Sequence, residues 1–220
     1  MGRLCEIYFS KKRKTYFSFP ITNYKFPIPN SQMVLTYSQQ SAIGSEIPNF
    51  VDLPEVFGDK YSLSDFESAK ILVVIFMCNH CPYVQAVLDR INALAEDFIS
   101  EKVQFIGINS NDAENYPDDS FENMKKVAEE KKIKFLYLYD ESQKVAKDFG
   151  AVCTPDIFVY KKNAENKWIL KYQGAIDDNW KDFSAVSKHY LRDAIFLLLQ
   201  DKEIDFEQKA SMGCSIKWKN

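Results

Sequence analysis

From residue 47 onward the chain alternates between short apolar runs and segments whose apolar positions recur every three or four residues. The strongest run is Lys70-Ile71-Leu72-Val73-Val74-Ile75-Phe76-Met77. A strand with one wet face would alternate apolar and polar residues, so this unbroken run predicts a strand covered on both faces, as in a parallel sheet. After Pro82 the period changes. Val84, Val87, Leu88, Ile91, Leu94, Ala95 and Phe98 return at helical spacing, predicting an amphipathic helix over 82–99 with Pro82 in its first turn. Further strands are predicted at 49–53, 103–108 and 135–139, and helices at 119–131 and 143–149, the second closed by Gly150. Residues 157–160 and 168–172 read as a hairpin across the polar loop 161–167, followed by a final long helix over 182–199. Strands alternating with helices, then a hairpin and a helix, predict an α/β domain with a central mixed β-sheet flanked by helices, without an internal repeat.

The first 43 residues break this pattern and are expected to form a basic, aromatic, disordered N-terminal extension to a domain at 44–220. Residues 1–32 carry six positive side chains against Glu6 alone, or +5, so the rest of the chain holds 22 positives and 30 negatives, or −8. Prolines 20, 27 and 29 spoil an amphipathic transit helix, and Ser18, Pro20, Thr22, Asn23 and Lys25 interrupt any secretory apolar stretch. The expectation is an arm without packed structure, or a start site placed too early with Met33 as the true first residue. An acidic body argues against nucleic acid as a partner, and the absence of any run near 18 apolar residues argues against a membrane span. A cytoplasmic location is expected.

The candidate chemistry lies where the strong strand meets its helix, at Cys78-Asn79-His80-Cys81-Pro82. Two thiols three residues apart can close a small disulfide ring. The free N–H groups and positive dipole end of the helix lower a thiol's pKa, which makes Cys78 the expected nucleophile; Asn79, His80 and Pro82 are expected to tune it. Strand-to-helix junctions at the carboxyl ends of sheet strands are also where α/β proteins place their sites. Zinc asks for about four ligands, whereas the remaining thiols lie far away at 5, 153 and 214 and His189 is the second histidine. A copper site using His80 and both thiols is the metal alternative. A redox dithiol with neither metal nor cofactor is the expectation.

These residues resemble a known family. Cys78-Asn79-His80-Cys81-Pro82-Tyr83, Ile108-Asn109-Ser110-Asn111-Asp112, Tyr139-Asp140-Glu141-Ser142, Gly150-Ala151-Val152-Cys153-Thr154-Pro155-Asp156 and Gly213-Cys214-Ser215-Ile216-Lys217-Trp218 are similar to the thioredoxin-fold redoxins. The likeness is greatest to peroxiredoxin-like members that carry a Cys-x-x-Cys. It implies a thioredoxin-like fold with residues 114–140 as the redoxin helix-plus-strand insertion. It also implies attack by Cys78, resolution by Cys81, and a cis-proline element at Thr154-Pro155 that pairs with an extended substrate. Implied partners are disulfide-containing proteins or small thiols, with a thioredoxin-like electron donor.

Several positions depart from the family pattern. Thioredoxins carry a buried aspartate six residues before the first cysteine, where this chain has Leu72, so water or another carboxylate must take the second thiol's proton. Peroxiredoxins place their peroxide-reactive cysteine at the position of Cys81, with a threonine where Cys78 stands, a proline where Val74 stands, and a later arginine. None of the four arginines, at 3, 13, 90 and 192, lies near Pro155. Disulfide exchange is therefore the expected activity and thiol-dependent peroxidase, with Cys81 as the peroxidatic cysteine, the alternative. Cys153 and Cys214 are candidates for extra redox thiols or for simple packing, Cys214 in a polar and mobile ending. Asp177-Asp178 is expected to cap the helix that follows, and Trp180 to close over the site.

Overall fold

The computed structural model describes residues 35–220. The expectations for residues 1–32 and for Met33 as first residue lie outside the described residues, as does Cys5. In chain order the first half holds β1 (Leu35–Tyr37), β2 (Leu53–Pro54), β3 (Lys60–Tyr61), β4 (Ile71–Phe76), α1 (Pro82–Asp97) and β5 (Val103–Asn109). There follow α2 (Phe121–Glu130), β6 (Leu136–Tyr139), α3 (Lys144–Phe149), β7 (Cys153–Thr154), β8 (Asp156–Lys162), β9 (Trp168–Gln173), α4 (Tyr190–Leu199) and β10 (Met212–Ser215).

The main sheet runs in the order β6-β5-β4-β8-β9, with β4 parallel to β5, β5 parallel to β6, and the β4–β8 and β8–β9 pairs antiparallel. β4 lies at its centre with all six residues at 0% exposure. Successive side chains of a strand point to opposite faces, so β4 feeds two cores at once. Ile71, Val73 and Ile75 pack with Val84, Val87, Leu88 and Ile91 of α1 and Leu191 and Ile195 of α4, while Leu72, Val74 and Phe76 pack with Val145, Ala146 and Phe149 of α3. The unbroken apolar run was thus a sound sign of a doubly covered strand. The insertion expected at 114–140 contains α2 and β6, and β6 closes one edge of the sheet. Among the described residues no helix is long and apolar enough to cross a membrane.

Three local expectations are corrected. The helix expected over 182–199 is confined to Tyr190–Leu199, after a single 3-10 turn at Phe183–Ala185. The Asp178 carboxylate accepts the backbone N–H groups of Ser187 and Lys188 at 2.9 and 3.1 Å and the Ser187 hydroxyl at 2.5 Å, while Asp182 accepts the N–H of Ser184 at 2.9 Å. Those donors are diverted from a helical ladder, the usual way short polar side chains compete with helix. The strand expected at 49–53 begins only at Leu53, because Asp52 adopts a left-handed φ of 54° that breaks the extended backbone.

The third correction concerns the two ends. Leu35, Thr36 and Tyr37 pair with Cys214, Gly213 and Met212, and Cys214 and Ser215 pair with Thr154 and Cys153, making a second sheet in the order β1-β10-β7. A boundary at residue 44 therefore excludes a strand of this sheet. The ending expected to be mobile is clamped: Ser38 and Ser211 exchange hydrogen bonds of 2.9 Å on one side of β10, and Lys217 binds Asn111, Asp112 and Gln143 on the other.

Candidate active site

The turn from β4 into α1 carries the four-residue motif. Cys81 is the N-cap of α1 and Pro82 its first residue, with Gln85 donating the first helical hydrogen bond to the Cys81 carbonyl at 3.0 Å. The expectation that Cys78 occupies the favoured helix-end position is corrected by this geometry. Burial opposes ionisation of Cys81, but the polar groups of Cys214, Cys78, Thr154 and Val84 around its sulfur hold its pKa below the ordinary thiol value. As a thiol, Cys81 donates instead to the Thr154 carbonyl at 3.0 Å.

Cys78 is driven the other way. Burial raises its pKa, as do its hydrogen bond to Cys81 and the negative charge of Asp119. Its sulfur lies 3.5 Å from the Thr154 hydroxyl. Exposure is 1% for Cys78 and 0% for Cys81. The two thiols share a proton whose loss belongs to the pair, with the charge resting on Cys81.

Asn79 and His80 join the motif to a residue that sequence reasoning missed. Asp119, fully buried, accepts the Asn79 backbone N–H at 2.8 Å and the Asn111 side-chain amide at 2.6 Å, and its Oδ2 lies 2.6 Å from His80 Nδ1. The Asp119 carboxylate beside the ring raises the His80 pKa against the opposing effect of burial. The imidazole also stacks parallel to Tyr116 with centroids 6.2 Å apart, leaving 21% of its side chain exposed. Asn79 is pinned on three further sides: its amide donates to the Asp118 carbonyl, its Oδ1 accepts from Tyr137, and its carbonyl accepts from Gln85. It acts as a structural peg. Asp119 lies 41 positions from Cys78 with no spacing that announces it, and the one available hint was the polar cluster Asn109-Ser110-Asn111-Asp112 at the carboxyl end of β5.

The Thr154–Pro155 peptide is cis, as the resemblance implies. Its expected pairing with an extended substrate is corrected, because Cys214 of the chain's own β10 stands opposite Thr154. Gly213 makes that approach feasible: a Cβ there would lie 1.9 Å from the Thr154 carbonyl oxygen. Cys214 is thereby brought to Cys81, while Cys153, opposite Ser215, lies on the other side of the strand pair and donates to the Pro155 carbonyl at 3.7 Å. Burial pushes the Cys153 thiol up. Trp180 packs on Tyr83 with centroids 4.4 Å apart and lines a groove of about 340 Å³ with Tyr37, Pro155 and Met212, beside the cis-proline and off the thiols. Asp177 binds Arg90, and Asp178 caps the loop before α4.

Cys78 Sγ, a His80 ring nitrogen and an Asp119 oxygen lie within 4.8 Å of one another, the one such grouping among the described residues. It differs from the copper alternative in using Asp119 in place of Cys81. Both Asp119 oxygens are already taken by protein donors, so a cation there would compete with the bonds that hold the motif.

A second buried carboxylate follows the cis-proline. Asp156 accepts from Gln173 at 3.4 Å, its Oδ2 has no partner among the described residues, and burial raises its pKa from 3.8 to about 7. A carboxyl whose folded pKa is raised destabilises the fold as pH climbs from the unfolded value through the folded one, here from 3.8 to about 7. Asp156→Asn is expected to gain melting temperature over the native chain at pH 8 and little at pH 4. Equal differences at both pH values would contradict the assignment.

Two structures share most of this chain. An uncharacterized conserved protein from Geobacillus kaustophilus is 41% identical over 86% of this chain and 98% of its own, with a TM-score of 0.79. A hypothetical protein from Sinorhizobium meliloti is 34% identical over 84% and 98%, with a TM-score of 0.77. A proposed thioredoxin from Neisseria meningitidis is similar in fold, at 20% identity, 71% and 92% coverage and a TM-score of 0.53. No curated protein matches. With a dithiol turn before α1, a cis-proline facing it, and the AhpC/TSA profile matching residues 43–175, the chain belongs to the AhpC/TSA family of thioredoxin-fold redoxins.

Proposed function

We propose that this protein is a thiol-disulfide oxidoreductase that uses Cys78 and Cys81 as its redox pair. The observation that carries the reading is the pair of buried thiols at the β4–α1 turn that both meet Thr154, Cys78 at its hydroxyl at 3.5 Å and Cys81 at its carbonyl at 3.0 Å. In the reduced state Cys78 donates its proton to Cys81. As that proton passes over, the Cys78 sulfur attacks a substrate disulfide, and one substrate sulfur leaves and takes a proton. Cys81 then loses its proton and attacks Cys78, releasing the second substrate thiol and closing the Cys78–Cys81 disulfide. His80, its pKa raised by Asp119 and its ring partly exposed, is the group placed to carry protons between the buried pair and solvent.

Burial of both sulfurs and occupation of the Thr154 edge by β10 favour a small disulfide over an extended protein segment as substrate. A thioredoxin-like donor is the proposed source of electrons and the cytoplasm the proposed compartment, since thiols are kept reduced there.

Peroxidase activity is the second reading, favoured by the charge on Cys81. Against it, Arg90 is bound to Asp177 and to the carbonyls of Asn179 and Trp180, and Arg192 to Asp97, so neither is available to a peroxide oxygen at the pair. Stopped-flow oxidation of the reduced protein by oxidised glutathione and by hydrogen peroxide separates the two. Oxidation by the disulfide that slows sharply in Cys78→Ser, where only attack by Cys81 is left, is the expected result. Fast peroxide consumption that survives Cys78→Ser and vanishes in Cys81→Ser would establish the peroxidase instead.

A further inference from the structure

β10 brings a third thiol to the pair in the place where a substrate strand is expected. Cys214 is 2% exposed and stands opposite Thr154 in the β7–β10 register, the same residue whose carbonyl Cys81 binds at 3.0 Å. The neighbouring Cys81 and burial both raise the Cys214 pKa. Cys153 has no part in this arrangement, because neighbouring residues of a strand face opposite ways and its own thiol turns to Pro155.

We propose that Cys214 is a built-in redox partner of the pair, able to take the disulfide over at Cys81 and set Cys78 free. The step rests on the dithiol reading above for its starting disulfide. Cys214 loses its proton and attacks the Cys81 sulfur of the Cys78–Cys81 bond. That bond breaks, Cys81–Cys214 forms, and Cys78 leaves as a thiolate that takes up the proton. One disulfide is exchanged for another, so no further oxidant is consumed. The outcome is an oxidised protein whose first cysteine is again a thiol, with the disulfide tying β10 to the N-terminus of α1.

Disulfide mapping tests this on the full chain. Cys78 and Cys81 share the tryptic segment 71–90, whereas Cys214 lies in 210–217, so only a Cys81–Cys214 or Cys78–Cys214 bond joins the two peptides. Cys78→Ser, reduced and then treated with oxidised glutathione, is expected to yield the 71–90/210–217 cross-link as Cys214 displaces glutathione from Cys81. A stable glutathione adduct on Cys81 with Cys214 still open to alkylation after acid quench and unfolding would overturn the proposal. Should Cys78→Ser fail to fold, the native chain decides. Its one-disulfide form is expected to show some alkylated Cys78, lost in Cys214→Ser, and labelling of Cys214 alone overturns the relay. A native chain whose only disulfide is Cys78–Cys81 leaves the oxidoreductase reading standing while the relay falls. The dithiol reading falls separately, if the native chain forms no Cys78–Cys81 bond.

Discussion

Gly213→Ala is expected to lower the melting temperature sharply and to abolish the Cys81–Cys214 cross-link. A Cβ at this position would sit 1.9 Å from the Thr154 oxygen, 2.5 Å from its carbonyl carbon and 3.0 Å from the Pro155 nitrogen. All three are backbone atoms, so no side chain can rotate away to make room. The strand cannot simply slide either, since Ser211 is bonded to Ser38 and Gly174 before it and Lys217 to Asn111 and Gln143 after it. Relief requires β10 to lift from β7, at a cost of about 1–3 kcal/mol for overpacking plus the lost pairing. For a chain of this size each kcal/mol moves the melting temperature by roughly 2–4 °C. Cys214 leaves Cys81 with the strand, so thermal melting and the cross-link yield should fall together. A variant that melts and cross-links like the native protein would show that β10 does not hold Cys214 against the site.

Those two residues also mark what was readable from the chain. β4 was legible because burial on two faces leaves no polar position in six residues, and α1 because its apolar period starts at Pro82. The dithiol was legible by spacing and the cis peptide by resemblance. β10 was not, because Met-Gly-Cys-Ser is four residues with no β-branched or aromatic side chain and is held by pairing on both edges, a long-range property with no local signature. The same reason hid the helix break at 182–189, where Asp178 reaches nine and ten residues ahead to take the donors of Ser187 and Lys188. Asp119 was hidden by its neighbours in sequence. Pro117-Asp118-Asp119-Ser120 reads as a polar turn before a helix, and nothing in it tells that the second aspartate turns inward to the motif 40 residues earlier at Asn79. The carboxylate missing at Leu72 is thus supplied near the pair by a different element, where it raises the pKa of His80.

Asp119→Asn is expected to destabilise the protein by several kcal/mol and to change how the cysteine pair responds to pH. The carboxylate, itself fully buried, accepts from Asn79 and Asn111 and pairs with His80. An amide has one accepting oxygen, so its NH₂ must face a donor wherever it turns, and each buried group left unpaired costs about 1–3 kcal/mol. Part of that loss depends on pH. His80 has a folded pKa above its unfolded one, so its pairing with Asp119 contributes in full below the unfolded value of about 6.5 and fades as pH rises through the folded value. The stability gap between the native protein and the Asp119→Asn variant should therefore be wider at pH 5.5 than at pH 9. The thiols report the same charge from the other side. Asp119 helps to raise the Cys78 pKa, so its removal should move the alkylation profile of Cys78 to lower pH. Urea melts at the two pH values and iodoacetamide rates across the range provide the check. A constant stability gap with an unmoved Cys78 profile would mean that Asp119 serves the fold alone, and that the proton handling of the pair lies with another group.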